Sequence, residues 1–320
     1  MVSLQPIKSK RLEVRVSKTQ TTSYAHFLLL ILLSTGYVSC DKLRIEPIEK
    51  KGILFIGHPY LWHLASDRVD ERIERINLKK YKQLWLGGDL CSETTEKYAT
   101  LGYLDGLFDL SSSNTHWTLG NHDVRNGNWD WISEFTSRDL HYVQDAQGMT
   151  IIVTNSNYSP DIHCDQLDEQ YQMIRAVCDT ISTSSHLIML SHLVTWGGVE
   201  DSMKTDRVSN LNWPTWKYSC IEPQPYFHRI IYPMLKEVQE RGIQVVVISG
   251  DAGQKDKQYQ YQTADGLWFL ASGINNSFEK DEEKRKLLPA DRLLYLEYSK
   301  ESRSLVWTFP SLDSLLMVDN

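Results

Sequence analysis

Five short polar clusters in this sequence each follow an apolar run of the kind that forms a buried strand. They are GHPY at 57–60, GGD at 87–89, GNHD at 120–123, SH at 191–192 and GDAG at 250–253. In open α/β sheets, ligands bind outside the carboxyl ends of the strands, so side chains placed there can converge on one crevice. The recurrence of Asp, Asn and His at five such positions indicates a metal site. Mixed oxygen and nitrogen ligands suit Mn, Fe or Zn.

The elements that would position these clusters alternate between strands and helices. Repeated β-α units of this kind predict a parallel or mixed sheet with helices on its faces. The C-terminal part is instead rich in strands, which predicts two packed sheets flanked by helices. The predicted strands are 53–56, 83–86, 116–119, 149–154, 186–190, 245–248, 267–271, 293–298 and 304–309, and the predicted helices are 66–81, 95–108, 165–183 and 226–241.

The clusters, in their order along the chain, resemble the motifs of the calcineurin-like metallophosphoesterases. The resemblance covers roughly residues 52–275, and its strongest element is LGNHD at 119–123, supported by WLGGD at 85–89 and by the isolated His192. It implies the family's α/β fold, a four-layer α/β/β/α sandwich of two mixed sheets flanked by helices. It also implies that Asp89 bridges two metals and that Asn121 and His192 bind the second. His122 would then lie beside the substrate phosphate, stabilising charge and protonating the leaving group.

Two motifs depart from the family pattern. The family has Asp-x-His after its first strand, whereas this chain has Gly57-His58-Pro59-Tyr60. One register places His58 at the aspartate and Tyr60 at the histidine, and the other keeps His58 as the histidine and puts Ile56 at the aspartate. The last motif, Gly-His-x-His in the family, is GDAG at 250–253, in which Asp251 can coordinate a metal and Gly253 cannot.

Both departures fall mainly on the first metal position of the family. The resemblance therefore predicts a reworked centre of one or two divalent metal ions, with one bound tightly and a second weakly. Its expected ligands are Asp89, Asn121, His192, Asp251 and His58, with His58 as a replacement ligand.

The N-terminal part of the chain has the pattern of an export signal. A basic stretch up to Lys18 precedes an apolar run over 25–40 that is short for a membrane span and typical of a signal peptide. The run ends in Val38-Ser39-Cys40, which resembles a bacterial lipoprotein cleavage site. Residues 1–40 are therefore predicted to be a signal peptide of lipoprotein type, 41–51 a tether and 52–320 the metallophosphoesterase-like domain. Simple secretion and an uncleaved N-terminal anchor remain as alternatives.

The net charge bears on which class of partner this protein binds, and the cysteine content bears on its compartment. The chain of 320 residues has a formal net charge of −7, and because residues 1–40 carry five Lys and Arg against one Glu, the rest carries −11. An acidic body argues against nucleic acid as the main partner, since phosphate-backbone binding needs clustered Lys and Arg. If Cys40 is lipidated, the four remaining cysteines permit up to two disulfides in an oxidising compartment. These are Cys91, Cys164, Cys178 and Cys220.

Together these features predict an exported, metal-dependent phosphoesterase. It would hydrolyse a phosphate monoester or diester with metal-activated water and be held at the bacterial cell envelope by a lipidated Cys40. The alternative is a catalytically weak or inactive member of the family that binds a phosphorylated ligand or a partner protein. The altered motifs favour the alternative, and the retained Asp89 and His122 favour the enzyme.

Overall fold

The computed structural model describes residues 51–61, 65–210 and 216–318, which all belong to one compact unit. The predicted signal peptide, the lipidation site at Cys40 and the tether up to residue 50 lie outside the described residues. Within the described ranges, no helix is both long enough and apolar enough to cross a membrane.

The first sheet has five strands in the order β11-β10-β1-β2-β3. Strands β1, β2 and β3 are parallel, β10 pairs antiparallel with β1, and β11 pairs antiparallel with β10. Because the three parallel strands point the same way, their carboxyl ends and the polar clusters that follow them share one edge of the sheet. The strands are β1 (Lys51–Ile56), β2 (Tyr81–Leu86), β3 (Thr115–Trp117), β10 (Leu294–Ser299) and β11 (Ser304–Thr308).

The second sheet has six strands in the order β4-β5-β6-β7-β9-β8. Its central strands β5, β6, β7 and β9 are parallel, while β4 and β8 pair antiparallel at the two edges. The central strands are almost wholly apolar, as expected for strands covered on both faces. The strands are β4 (Tyr142–Ala146), β5 (Met149–Val153), β6 (His186–Ser191), β7 (Gln244–Ser249), β8 (Gln258–Gln262) and β9 (Trp268–Ser272).

Helices cover the outer face of each sheet, and three apolar clusters hold the layers together. Phe55 and Trp85 of the first sheet pack against Ile188 and Val246 of the second in the central cluster. A second cluster lies between the first sheet and α2, and a third between the second sheet and α5 and α6. The helices are α1 (Glu71–Glu74), α2 (Tyr98–Phe108), α3 (Asn121–Val124), α4 (Trp129–Thr136), α5 (Cys164–Thr180), α6 (Tyr232–Glu240), α7 (Glu282–Arg285) and α8 (Leu312–Val318).

The α/β class and the two mixed sheets flanked by helices confirm the predicted four-layer sandwich. The predicted helix over 66–81 was wrong, because only the short turn α1 and a 3-10 turn at Leu78–Lys80 form there and β2 already begins at Tyr81. Val69, Ile73 and Ile76 are buried, as the periodicity suggested, but only Ile73 lies in a helix. The edge strands β4 and β8 were not predicted. Their residues alternate between exposed and partly exposed and are mostly polar, so neither strand forms the apolar run by which the other strands were identified.

One disulfide forms among the described cysteines, between Cys164 at the start of α5 and Cys220 in the long β6–α6 connection. Cys91 and Cys178 are buried free thiols. Burial raises the pKa of both thiols, that of Cys178 to about 12. A buried thiol with a raised pKa is chemically inert, so these two cysteines serve as small core residues.

Candidate metal centre

The ends of five strands meet at one place, where glycines allow the two sheets to approach closely. At Gly250, after β7, an added Cβ would lie 2.0 Å from the carbonyl oxygen of Gly87, which follows β2. An added Cβ at Gly57, after β1, would lie 2.3 Å from the carbonyl oxygen of Ser272. Only glycine, which has no Cβ atom, fits at these contacts. The glycines thus bring the polar clusters of both sheets into one crevice.

Asp89 lies at the centre of this crevice and is 1% exposed. Its Oδ2 atom is 3.5 Å from Nε2 of His58 and 3.5 Å from Nε2 of His192. Its Oδ1 atom accepts a hydrogen bond of 2.8 Å from the backbone N–H of His122. Asp89 and His58 both have a φ of 54°, in the left-handed region. Backbone strain of this kind in non-glycine residues clusters at functional sites.

Both imidazoles are oriented by backbone carbonyls. Nδ1 of His192 is 2.7 Å from the carbonyl oxygen of Gly87, and Nδ1 of His58 is 3.3 Å from that of Ile274. A carbonyl only accepts, so each Nδ1 carries the hydrogen and each Nε2 turns towards Asp89. At 3.5 Å from Oδ2 of Asp89, the buried Nε2 of His192 is at the outer limit of hydrogen-bond distance. Metal-binding histidines are held in this way, with one nitrogen donating to a backbone carbonyl and the other facing the ion.

The electrostatics of the crevice favour a positive charge beside Asp89. Burial lowers the pKa of His58, and the carboxylate of Asp89 opposes this only in part. Burial also opposes protonation of His192, but Asp89 and Asp251 outweigh it and raise the pKa of His192 above its ordinary value. Burial would raise the pKa of Asp89, yet the two histidines bring it below its usual range. A divalent cation would take the place of the proton that these groups share.

Asp123, the last residue of the GNHD motif, organises the backbone around the crevice. Its carboxylate is fully buried and accepts hydrogen bonds from the backbone N–H groups of Asp89 (2.8 Å), Leu90 (2.9 Å) and Gly120 (2.9 Å). It also accepts one of 2.7 Å from the hydroxyl of Thr94. From its position in the sequence, this residue is expected to cap the next turn, and its bond to the Gly120 N–H at the start of α3 confirms this. It also joins the segments after β2 and β3, so it sets the position of Asp89.

His122 faces the outside of the crevice in a cluster of polar side chains. Its Nδ1 atom is 2.9 Å from the carbonyl oxygen of Ser92. Its Nε2 atom is 2.8 Å from Nη2 of Arg125 and 3.2 Å from the hydroxyl of Tyr60, whose ring stacks on the imidazole. Arg125 also pairs with Glu93, at 3.3 Å. Sequence reasoning missed Arg125, and its position two residues after the GNHD motif was the one available signal.

In the first motif, His58 faces Asp89, whereas the Tyr60 hydroxyl faces Nε2 of His122. The two registers of this motif stay predictions.

The five expected ligands are not equally well gathered. His58, Asp89 and His192 come together. Asp251 is buried, and its backbone N–H donates to the carbonyl oxygen of His192 at 2.8 Å. Asn121 begins α3 and is half-buried. Across 51–61, 65–210 and 216–318, no group of three or more His, Cys, Asp or Glu side chains has an arrangement that could hold a metal ion as it stands. Two imidazole nitrogens and a carboxylate oxygen are nevertheless the kinds of donor that Mn, Fe and Zn accept, and both Nε2 atoms face Oδ2 of Asp89.

A groove of about 790 Å³ lies elsewhere, at the amino-terminal ends of β1 and β2, where Gly52, Lys82 and Tyr295 contribute to its wall. Its lining includes no His, Asp or Cys side chain. The polar crevice is the better candidate for chemistry, because two imidazoles and a carboxylate with perturbed pKa values come together there.

Comparisons with known proteins give little further guidance. No family model matches the sequence, and no curated protein matches it. Among solved structures, a single mutant of Vps29 from Entamoeba histolytica aligns with 12% identity and a TM-score of 0.35, covering 81% of this chain and 98% of that one. Vps29 from Chaetomium thermophilum aligns with 12% identity and a TM-score of 0.30, covering 81% and 93%. Matches this weak carry no information about activity.

Proposed function

We propose that this protein is a metal-dependent phosphoesterase of the calcineurin-like class. The observation that carries the proposal is the pair of imidazole Nε2 atoms, each 3.5 Å from Oδ2 of Asp89, with their Nδ1 atoms fixed by backbone carbonyls. The motif order along the chain and the four-layer fold support the same class. The substrate is a phosphate monoester or diester.

In this proposal, His58, Asp89 and His192 hold one divalent cation, Mn, Fe or Zn. Asn121 and Asp251 complete its coordination or hold a second, weaker ion. When bound, the cation supplies Lewis acidity that activates water and polarises the phosphoryl oxygens. The chain's own residues fix the geometry, since Asp123 positions the Asp89 backbone and the His122 N–H holds one carboxylate oxygen. His122 is the catalytic residue beside the phosphate, where it stabilises charge and protonates the leaving group.

Export to the bacterial cell envelope, with lipidated Cys40 as the membrane anchor, is part of the same proposal. The disulfide between Cys164 and Cys220 supports it, because disulfides persist in oxidising compartments and are rare in the cytosol. A phosphorylated small molecule or other phosphoester in that compartment would be the substrate.

The second candidate is a protein that binds a phosphorylated ligand or a partner protein without efficient catalysis. Two observations favour it: Gly253 cannot replace the metal-binding histidine of the family, and no ready-made group of three ligands is present among the described residues.

Metal analysis and hydrolysis assays separate the two candidates. The purified protein is loaded with Mn²⁺, Fe²⁺ or Zn²⁺, and metal content is measured by mass spectrometry alongside hydrolysis of p-nitrophenyl phosphate and bis-p-nitrophenyl phosphate. We expect one tightly bound ion, loss of that ion in His192→Ala, and loss of hydrolysis with retained metal in His122→Ala. His228→Ala, in the π-helical turn Phe227–Ile231, is the matched control and should change neither.

Bound metal with no hydrolysis above the His122→Ala level would favour the binding protein. A wild-type protein that binds no divalent ion would remove the basis of the metal centre itself. Two tightly bound ions per chain would contradict the reworked, single-ion centre.

A further inference from the structure

Arg125 lies at the outer side of the crevice, where it contacts His122. Its Nη2 atom is 2.8 Å from Nε2 of His122, and a guanidinium can only donate, so Nε2 must accept. The carbonyl of Ser92 only accepts, so Nδ1 of His122 carries the hydrogen. The Nε2 lone pair of His122 is therefore directed at Arg125.

The guanidinium is also accessible. The Arg125 side chain is 39% exposed, and its second contact is an ion pair of 3.3 Å with the partly exposed Glu93. Exposed ion pairs contribute little free energy, and a hydrogen bond to a neutral imidazole is weaker than one to an anion. Arg125 can thus exchange its present partners for an anionic oxygen at low cost.

The buried carboxylates of the crevice favour a cation such as the Arg125 guanidinium near its opening. Asp89, Asp123 and Asp251 are all buried in or beside the crevice. These three carboxylates carry three negative charges and one divalent ion carries two positive charges. One negative charge would then remain, so an incoming phosphate ester would still be repelled. A guanidinium near the opening offsets that repulsion and presents a planar fork that matches two phosphate oxygens.

We infer that Arg125 binds the substrate phosphate and gives this site a preference for phosphate monoesters over diesters; the inference rests on the function proposed above. A monoester has three terminal oxygens and up to two negative charges, whereas a diester has two such oxygens and one charge, so the guanidinium interacts more strongly with the monoester.

The test compares Arg125→Ala and Arg125→Lys with the matched control Arg175→Ala. Arg175 lies on α5, is 55% exposed and pairs with Asp179, so its removal changes net charge equally at a distance from the crevice. Each metal-loaded protein is assayed for kcat/KM on p-nitrophenyl phosphate and bis-p-nitrophenyl phosphate, and for the Kd of inorganic phosphate by calorimetry. Thermal melting verifies that each variant is folded.

Arg125→Ala should lower kcat/KM for the monoester by about 10- to 100-fold, as expected for loss of a charge-assisted hydrogen bond. The loss on the diester should be several-fold smaller, and the Kd of inorganic phosphate should rise by about tenfold or more. Arg125→Lys keeps the charge without the fork and should be intermediate. Arg175→Ala should match the wild type.

The outcomes separate this inference from the proposed function. Wild-type hydrolysis that survives unchanged in Arg125→Ala, or that falls equally on both esters, overturns the preference and leaves the hydrolase intact. Phosphate binding that depends on Arg125 without wild-type hydrolysis rejects the enzyme and keeps Arg125 as a phosphate ligand. A wild-type protein that neither hydrolyses these esters nor binds phosphate overturns both.

Discussion

The contact between Gly250 and Gly87 makes a sharp prediction about how the two sheets build the site. In Gly250→Ala, the new Cβ would lie 2.0 Å from the Gly87 carbonyl oxygen and 2.6 Å from its Cα. Both are backbone atoms, so no side-chain rotation can relieve the clash. Gly250 has no positive φ, so alanine is compatible with its backbone conformation and the penalty is steric.

The size of the effect follows from the distances. Real Cβ atoms essentially never come closer than 3.0 Å to such a neighbour, so the ends of β2 and β7 must separate by about 1 Å. Overpacking of this kind costs about 1–3 kcal/mol of unfolding free energy. The same displacement moves Asp89 relative to Asp251, and an error of about 1 Å in a reacting geometry costs on the order of 100-fold in rate.

The assay pairs urea unfolding, followed by tryptophan fluorescence, with divalent metal titration. Gly102→Ala is the matched control, because Gly102 is exposed in α2 and an added Cβ there meets nothing within 4 Å. This control should be more stable than the wild type by about 0.5–1 kcal/mol, since alanine favours the helix. Metal affinity should fall in Gly250→Ala and stay unchanged in Gly102→Ala. Equal stability and equal metal affinity of Gly250→Ala and wild type would refute the close approach of the two strand ends.

Three further predictions concern stability. Asp123→Asn places an amide NH₂ against N–H donors that now meet a carboxylate. The unfolding free energy measured in urea should therefore drop by about 3 kcal/mol or more. A drop below about 1 kcal/mol would argue against the organising role of Asp123. Cys220→Ser opens a disulfide between residues 56 apart in sequence, for which chain entropy predicts a loss of about 4 kcal/mol; non-reducing peptide mapping that finds both thiols free in the wild type would contradict the bridge. Burial, with a smaller contribution from Arg138, lowers the pKa of His116 to about 3, so its stabilising contribution is present above pH 6.5 and is lost as the pH falls towards 3. His116→Asn should therefore flatten the pH dependence of unfolding by up to about 1.4 kcal/mol per pH unit in this window, and parallel curves for variant and wild type would rule out this titration.

Much of the fold follows from local sequence patterns. Apolar runs such as 186–190 and 245–248 form the central strands β6 and β7, because strands buried on both faces need continuous apolar stretches. The helix predicted over 226–241 exists, although its first turn is π-helical, at Phe227–Ile231, before α6 begins at Tyr232. The failures were the segment over 66–81 and the polar edge strands, whose conformation depends on neighbours rather than on their own periodicity.

The candidate site shows the same division. The sequence alone determined which residue types follow each strand, and this was sufficient to identify Asp89, His122 and His192 as candidates. Tertiary structure decided that His58 rather than Tyr60 faces Asp89, that Asp123 joins two loops, that Arg125 contacts His122, and that Cys164 pairs with Cys220. The Nδ1 atom of His58 bonds to a carbonyl 216 residues away, at Ile274, and no local spacing encodes such a contact. Side-chain type is a property of one position in the chain, whereas the orientation and charge state of a side chain depend on which distant segments pack against it.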